Sequence, residues 1–69
     1  MRLSTRNQIS GTVASVTNGE VMSLVKVTLK SGETITAAIT REAAEELSLS
    51  SGSPVSVLVK ATEVMLAVD

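Results

Sequence analysis

The sequence predicts a small all-β domain with five short strands and one short helix between the third and fourth strands. Three observations lead to this prediction. Apolar and polar residues alternate with a period of two over most of the chain. Glycine-containing turn dipeptides separate the first alternating stretches, and a single segment has helical spacing. A chain of 69 residues has room for one domain, so we expect residues 1–69 to form it.

The first three alternating stretches predict a meander of antiparallel strands. Their apolar positions are, in chain order, Ile9, Gly11 and Val13, then Val25, Val27 and Leu29, then Ile35, Ala37 and Ile39. The dipeptides Asn18-Gly19 and Ser31-Gly32 lie between them, and both are typical of tight turns. Because the apolar positions recur every two residues, each strand is expected to place one face on a core.

The segment TREAAEEL, residues 40–47, is the predicted helix. Thr40 is a good N-cap residue, and Glu42 lies in the first turn, where the helix dipole favours an acidic side chain. Ala43, Ala44 and Leu47 give the expected apolar face. The next seven residues, SLSSGSP, are rich in helix breakers and predict a loop.

Two further alternating stretches follow this loop. Their apolar positions are Val55, Val57 and Val59 for the fourth strand, and Val64, Leu66 and Val68 for the fifth. Three strands, a helix and two strands, in that order, match the OB-fold, a five-stranded Greek-key barrel. The expected fold is therefore a small OB-fold-like barrel, although element order alone gives no function.

The composition predicts assembly with further copies of the chain. A domain of this size buries roughly 60% of the surface that its unfolded chain exposes. The chain has no Cys and no His, so disulfides and the usual structural metal sites are not available. With 43% apolar residues and a mean hydropathy of +0.34, we expect apolar surface to be covered by a homo-oligomer.

The same composition argues against several classes of function. Without His and Cys, the common general base and the thiol nucleophile are missing, so we expect no enzyme. Binding of nucleic acid is disfavoured because the chain has no aromatic residue for base stacking and a net charge of −1. No apolar run approaches the roughly 20 residues of a membrane span, and no signal-peptide pattern is visible, which predicts a cytoplasmic protein.

A small anion remains as a candidate ligand. Ten Ser and eight Thr supply neutral hydrogen-bond donors, Arg6 and Lys60 lie at predicted strand ends, and Thr40 lies at the start of the helix. Each of these also has an ordinary explanation, as a surface cation or a simple N-cap. Ser4 and Thr5 equally fit a frayed terminus.

Three stretches of the chain, taken together, resemble one family. They are LSTRNQISGTV, AITREAAEELSL and GSPVSVLVKATEVML. Their pattern is a Ser-x-Arg-Asn-Gln start, a strand that ends in Thr before a short helix, and a Lys-Ala pair ahead of a Val-Met strand. This pattern covers the whole chain and is similar to that of the molbindins, small Mop-type molybdate-binding proteins related to TOBE domains.

The resemblance implies an oxyanion site shared by two subunits. Ser4, Arg6, Lys60 and the backbone of Ala61 from one subunit would meet Thr40 and the amides of the helix start from its neighbour. Asn7 and Gln8 would fasten the turn that presents the donors. The family often has Ser three residues after the Thr, whereas this chain has Ala43, so that position can offer only its backbone N–H.

The implied ligand is molybdate or tungstate, held in a hexamer built as a trimer of dimers, for intracellular storage or homeostasis. Such a dianion has four acceptor oxygens and no proton to donate, so a site made only of donors suits it. Sulfate is smaller, and a rigid cavity could discriminate by size. Two alternatives remain: a regulatory or adaptor barrel that senses the oxyanion and acts through a protein partner, and an OB-type nucleic-acid-binding module.

Overall fold

The structure of the chain, a computed structural model, describes residues 3–69 and contains four strands and one α-helix in that range. The strands are β1 (Asn7–Asn18), β2 (Met22–Leu29), β3 (Thr34–Thr40) and β4 (Pro54–Val59), the helix α1 (Arg41–Glu46) lies between β3 and β4, and a short 3-10 turn covers Ala61–Glu63. None of the helical segments in residues 3–69 is both long enough and apolar enough to cross a bilayer.

The strands form one antiparallel sheet in the order β3-β2-β1-β4. A meander of three strands with the fourth returning beside the first is the Greek-key arrangement, and the all-β fold with one short helix agrees with the prediction. The expected closed barrel is wrong, because β3 and β4 pair with no further strand of the described chain. The sheet is a curled half-barrel with two free edges.

The predicted alternation positions the core correctly. Val13, Val25 and Val27 are its buried centre. A bulge interrupts the register between Val13 and Ser15, so that Val16 pairs with Val25. The 48–54 loop packs at this bulge, where the Val13 N–H donates to the Ser53 carbonyl at 2.9 Å. An inserted residue of this kind bends a strand and increases its twist, which helps the sheet to curl around the core.

The predicted N-cap is confirmed, but one part of the predicted helix face is wrong. The Thr40 hydroxyl accepts a hydrogen bond from the Ala43 N–H at 3.0 Å, and Ala44 is buried at 4% exposure. Leu47 is 66% exposed because α1 ends at Glu46, one residue earlier. A helix of six residues buries a single side chain deeply, so α1 is held mainly by its cap and by Ala44.

The predicted fifth strand is also wrong. After Val59 the chain turns through Ala61–Glu63, and residues 64–69 pair with no strand among residues 3–69. Met65, Leu66 and Val68 are between 92% and 98% exposed. Alternation predicts which faces a strand would have, but a strand also needs a partner edge, and this chain offers its own tail none.

Candidate functional site

The residues predicted for the oxyanion site fall into two groups at opposite ends of β1. At one end Asn7 pairs with Val59, the residue before Lys60. At the other end Asn18 pairs with Ser23 on β2, beside the pairing of Met22 with Thr40. A strand of 12 residues extends up to roughly 36 Å at about 3.3 Å per residue, so one copy of the chain cannot join the two groups.

The first group lies together in one open cleft of about 420 Å³. The residues that line it are Ser4, Thr5, Arg6, Leu58, Lys60, Ala61 and Thr62. The structure therefore brings together Ser4, Arg6, Lys60 and Ala61, although they come from the two ends of the sequence. We call this the basic cleft.

Hydrogen bonds to a single carbonyl group fasten the N-terminal side of the basic cleft. The Thr5 Oγ1 hydroxyl donates to the Val59 carbonyl oxygen at 3.0 Å, and the Asn7 Nδ2 amide donates to the same oxygen at 3.1 Å. The Gln8 Nε2 contact with the Thr5 carbonyl is long, at 3.5 Å. The turn before β1 is thus attached to the end of β4, with Arg6 between the two attached residues.

The two cations of the basic cleft have no carboxylate partner. The only salt bridge within residues 3–69 joins Arg41 to Glu45. Arg6 and Lys60 are both exposed and offer five and three N–H donors with no acceptor. Two neighbouring positive charges repel each other, and a bound dianion would relieve that repulsion while accepting hydrogen bonds from both.

The basic cleft also contains residues that sequence reasoning missed. Leu58 lies on the outer face of β4, between the inward Val57 and Val59, and is 46% exposed. The alternation already placed Leu58 on that face, so its position could have been read from the pattern. Thr62 lies in the 3-10 turn, and its hydroxyl adds a neutral donor, but no sequence signal predicted that turn.

The second group lies in a cleft of about 440 Å³ at the other end of β1, which we call the acidic cleft. The residues that line it are Glu20, Val21, Thr40, Arg41, Glu42 and Glu45. Arg41 is engaged there with Glu45 at 3.0 Å and with the Gly19 carbonyl at 3.3 Å. The carboxylates of Glu20 and Glu42 have no salt bridge within residues 3–69.

Thr40 and Ala43 are already hydrogen-bonded to each other. The Ala43 N–H donates to the Thr40 hydroxyl oxygen at 3.0 Å, so this N–H is engaged by the cap. The hydroxyl hydrogen of Thr40 stays free to donate, because accepting a bond uses only a lone pair. Of these two predicted residues, Thr40 faces a cleft and has a donor to offer.

The largest cleft, about 550 Å³, lies elsewhere, around the pairing of Gly11 with Leu29 and Val55. It contains none of the predicted residues, and Lys30 is its one cation as far as residues 3–69 are concerned. A single flexible ammonium offsets half of a dianion's charge, whereas the basic cleft has two cations. Charge and donor chemistry therefore favour the smaller, basic cleft over the larger one.

Comparison with known proteins gives a family and close structural relatives. The family model of the TOBE domain matches residues 3–66. The chain is 35% identical to a probable molybdenum-pterin-binding protein of Haemophilus influenzae over the full length of both. A solved structure, of a molybdate-binding protein from Sporomusa ovata, has a TM-score of 0.92 and 37% identity, and the match covers 97% of this chain and 98% of that one.

A further relative is much longer than this chain. The molybdenum transport protein ModE of Herbaspirillum seropedicae is 47% identical over 67 residues, which are 97% of this chain. The match spans 25% of the length of that relative.

Proposed function

The chain belongs to the TOBE-domain family, and on that premise we propose that it binds the molybdate dianion in the basic cleft. The observation that carries the proposal is the pair of cations, Arg6 and Lys60, which lie in one cleft without a carboxylate partner in residues 3–69. The names of the relatives, a molybdenum-pterin-binding protein and a molybdate-binding protein, support this choice of ligand. Tungstate has the same charge and shape and is proposed as an alternative ligand.

The chemistry of the cleft suits a fully deprotonated tetrahedral anion. Ser4, Thr5 and Thr62 add hydroxyl donors to the two cations, and no carboxylate of residues 3–69 lines the cleft. Hydrogen bonds from charged donors are shorter and about twice as strong as neutral ones. A ligand with four acceptor oxygens can use several of these donors at once.

We further propose that a second copy of the chain completes the site with its Thr40. The basic and acidic clefts lie at opposite ends of β1, so a site that uses both groups needs two copies. The free edges of β3 and β4 and the exposed apolar tail of residues 64–69 leave surface for such copies to cover. The assembly proposed is the predicted hexamer, a trimer of dimers.

The opposite charges of the two clefts favour this arrangement. Glu20 and Glu42 of one copy would attract Arg6 and Lys60 of the next. The basic cleft would supply most of the binding free energy, whereas Thr40 of the neighbouring copy would add one hydroxyl donor. The proposed role is storage or homeostasis of the oxyanion without any chemical step, and cytoplasmic localisation stays a prediction from the sequence.

A second candidate function is an oxyanion-sensing module that acts through other protein segments. The ModE relative favours it, because there a segment 47% identical to this chain is a quarter of a longer protein. Both functions use the same basic cleft. They differ in what responds to the bound oxyanion: nothing further in storage, and a protein partner in sensing.

Native mass spectrometry with and without molybdate tests the proposed function directly, because it counts subunits and ligands in one measurement. We expect a multimer that gains molybdate, and weaker or absent uptake of sulfate. As a control, Lys26→Ala removes an exposed cation from β2 and should leave uptake unchanged. A stable 7.1 kDa monomer would contradict the shared site, and a multimer without molybdate would contradict the ligand.

A further inference from the structure

One backbone carbonyl, that of Val59, connects the two cations of the basic cleft. It accepts a hydrogen bond from the Thr5 hydroxyl at 3.0 Å and another from the Asn7 amide at 3.1 Å. A carbonyl oxygen has two lone pairs, so two side-chain donors occupy its acceptor capacity. The donors are the neighbours of Arg6 on both sides, and they lie 54 and 52 residues away from Val59 along the chain.

The same carbonyl also determines where Lys60 begins. The peptide group is planar, and the plane that contains the Val59 carbonyl oxygen also contains the Cα atom of Lys60. Donors that hold this oxygen therefore orient the plane from which the Lys60 side chain departs. Thr5 and Asn7 are half-buried, whereas Arg6 and Lys60 are exposed, so the anchoring side chains point inward and the cations outward.

We propose that Thr5 and Asn7 are positioning residues that set the spacing of Arg6 and Lys60 through the Val59 carbonyl. The inference rests on the proposed function, and it explains why a turn so close to the N-terminus is held by two bonds. Without them the segment before β1 would fray, and repulsion between the cations would favour a wider spacing. Holding the cations in place before the ligand arrives reduces the ordering that binding must bring about.

The first test compares two substitutions of Thr5. Thr5→Val removes the hydroxyl with little change of shape, whereas Thr5→Ser keeps it. We expect Thr5→Val to weaken molybdate binding by about 3- to 10-fold, as the loss of one hydrogen bond predicts, and Thr5→Ser to restore most of it. Thr36→Val, at an exposed position on β3, controls for the change from Thr to Val and should bind like the wild type.

The second test asks whether the effect runs through the spacing of the cations. Thr5→Val and Asn7→Leu are each measured alone and in a Lys60→Met background, with molybdate and sulfate titrated by calorimetry. If the two residues position the cations, their penalty on molybdate binding should fall by at least half in that background, because one of the two charges is gone. The ratio of molybdate to sulfate affinity should also fall in both single variants.

Three results would overturn the inference. Thr5→Val and Asn7→Leu could bind like the wild type, their penalties could be equal with and without Lys60, or a penalty could accompany a lowered apo melting temperature while the ratio of affinities stays unchanged. The last result would assign the two residues a purely structural role. Wild-type binding that Arg6→Ala abolishes would keep the proposed function even then, whereas a wild type that binds no molybdate would contradict the function itself.

Discussion

The two ends of β1 carry opposite charge and use their hydrogen bonds in different ways. At the acidic cleft, Thr40 caps α1 and Arg41 bonds to Glu45 and to the Gly19 carbonyl, so the polar groups serve the fold. At the basic cleft, the anchoring bonds of Thr5 and Asn7 serve the fold, but Arg6 and Lys60 have no carboxylate partner in residues 3–69.

This difference distinguishes a structural end of the strand from a binding end. A cation with a carboxylate partner gains little from a new anion, because the new bond replaces an existing one. A pair of cations without partners gains both the attraction to the anion and relief from mutual repulsion. Substitutions at the basic cleft should therefore change ligand affinity, whereas substitutions at the acidic cleft should mainly change stability.

The largest expected effect comes from Arg6→Ala. Loss of the guanidinium removes several charged donors and should weaken molybdate binding by about 1.5–3 kcal/mol, the usual contribution of a hydrogen bond to a charged group. The β-rich circular dichroism should stay unchanged, because Arg6 is exposed. Isothermal calorimetry measures the affinity, and a wild-type value for Arg6→Ala would remove Arg6 from the site.

Lys60→Met should reduce ligand stabilisation by about 1.5 kcal/mol, the lower end of that range, since an ammonium forms no paired contacts. In the wild type, molybdate should raise the melting temperature in a concentration-dependent way by binding the folded state. The shift should shrink in Lys60→Met, whereas the apo protein keeps its stability or gains some as the repulsion disappears.

Lys60→Arg is the matched charge control in the same thermal measurement. It should restore the shift only in part, because a planar fork does not fill the space of a compact ammonium. An unchanged shift in Lys60→Met would mean that Lys60 is an ordinary surface charge.

Thr40→Ala tests the structural end of β1. Removal of the cap should lower the free energy of unfolding by about 1 kcal/mol, measured by urea denaturation at a fixed protein concentration. Thr40→Ser keeps the hydroxyl and should retain most of the stability. If Thr40→Ala loses more ligand affinity than stability, then Thr40 acts mainly as a ligand donor and the contrast between the two ends is weaker than we infer.

The smallest expected effect is that of Glu45→Gln. The bridge to Arg41 is exposed and spans one helical turn, so its loss should change the free energy of unfolding by about 0.3–0.5 kcal/mol. Molybdate affinity should not change by a measurable amount. A large loss of affinity would show that the acidic cleft contributes to binding through more than the Thr40 hydroxyl.

Most of the local structure could be predicted from the sequence. Alternation identified β1 to β4 and their inward valines, and the Thr40 cap followed from the residue type at the start of the helical segment. The resemblance to Mop-type proteins is confirmed, since the match to the Haemophilus influenzae relative covers both chains completely. These features depend on residues that are near neighbours in the chain, which is why a pattern can predict them.

Features that depend on distant pairings were predicted poorly. The tail at residues 64–69 alternates like a strand but has no partner edge in its own chain. The bulge between Val13 and Ser15 has no signature in the sequence, and the short helix left Leu47 on the surface rather than in the core. The roles of the predicted site residues remain predictions until binding is measured.

By itself, the sequence determined the faces of the strands, the cap of the helix, the family and the residue types available to an anion. The tertiary structure alone decided that Arg6 and Lys60 share a cleft, that Thr40 lies at the opposite end of β1, and that the Val59 carbonyl joins Thr5 to Asn7. The physical reason is the range of the interactions. Side-chain periodicity is a property of consecutive residues, whereas these contacts join residues more than 50 positions apart through strand register, which no short stretch of sequence contains.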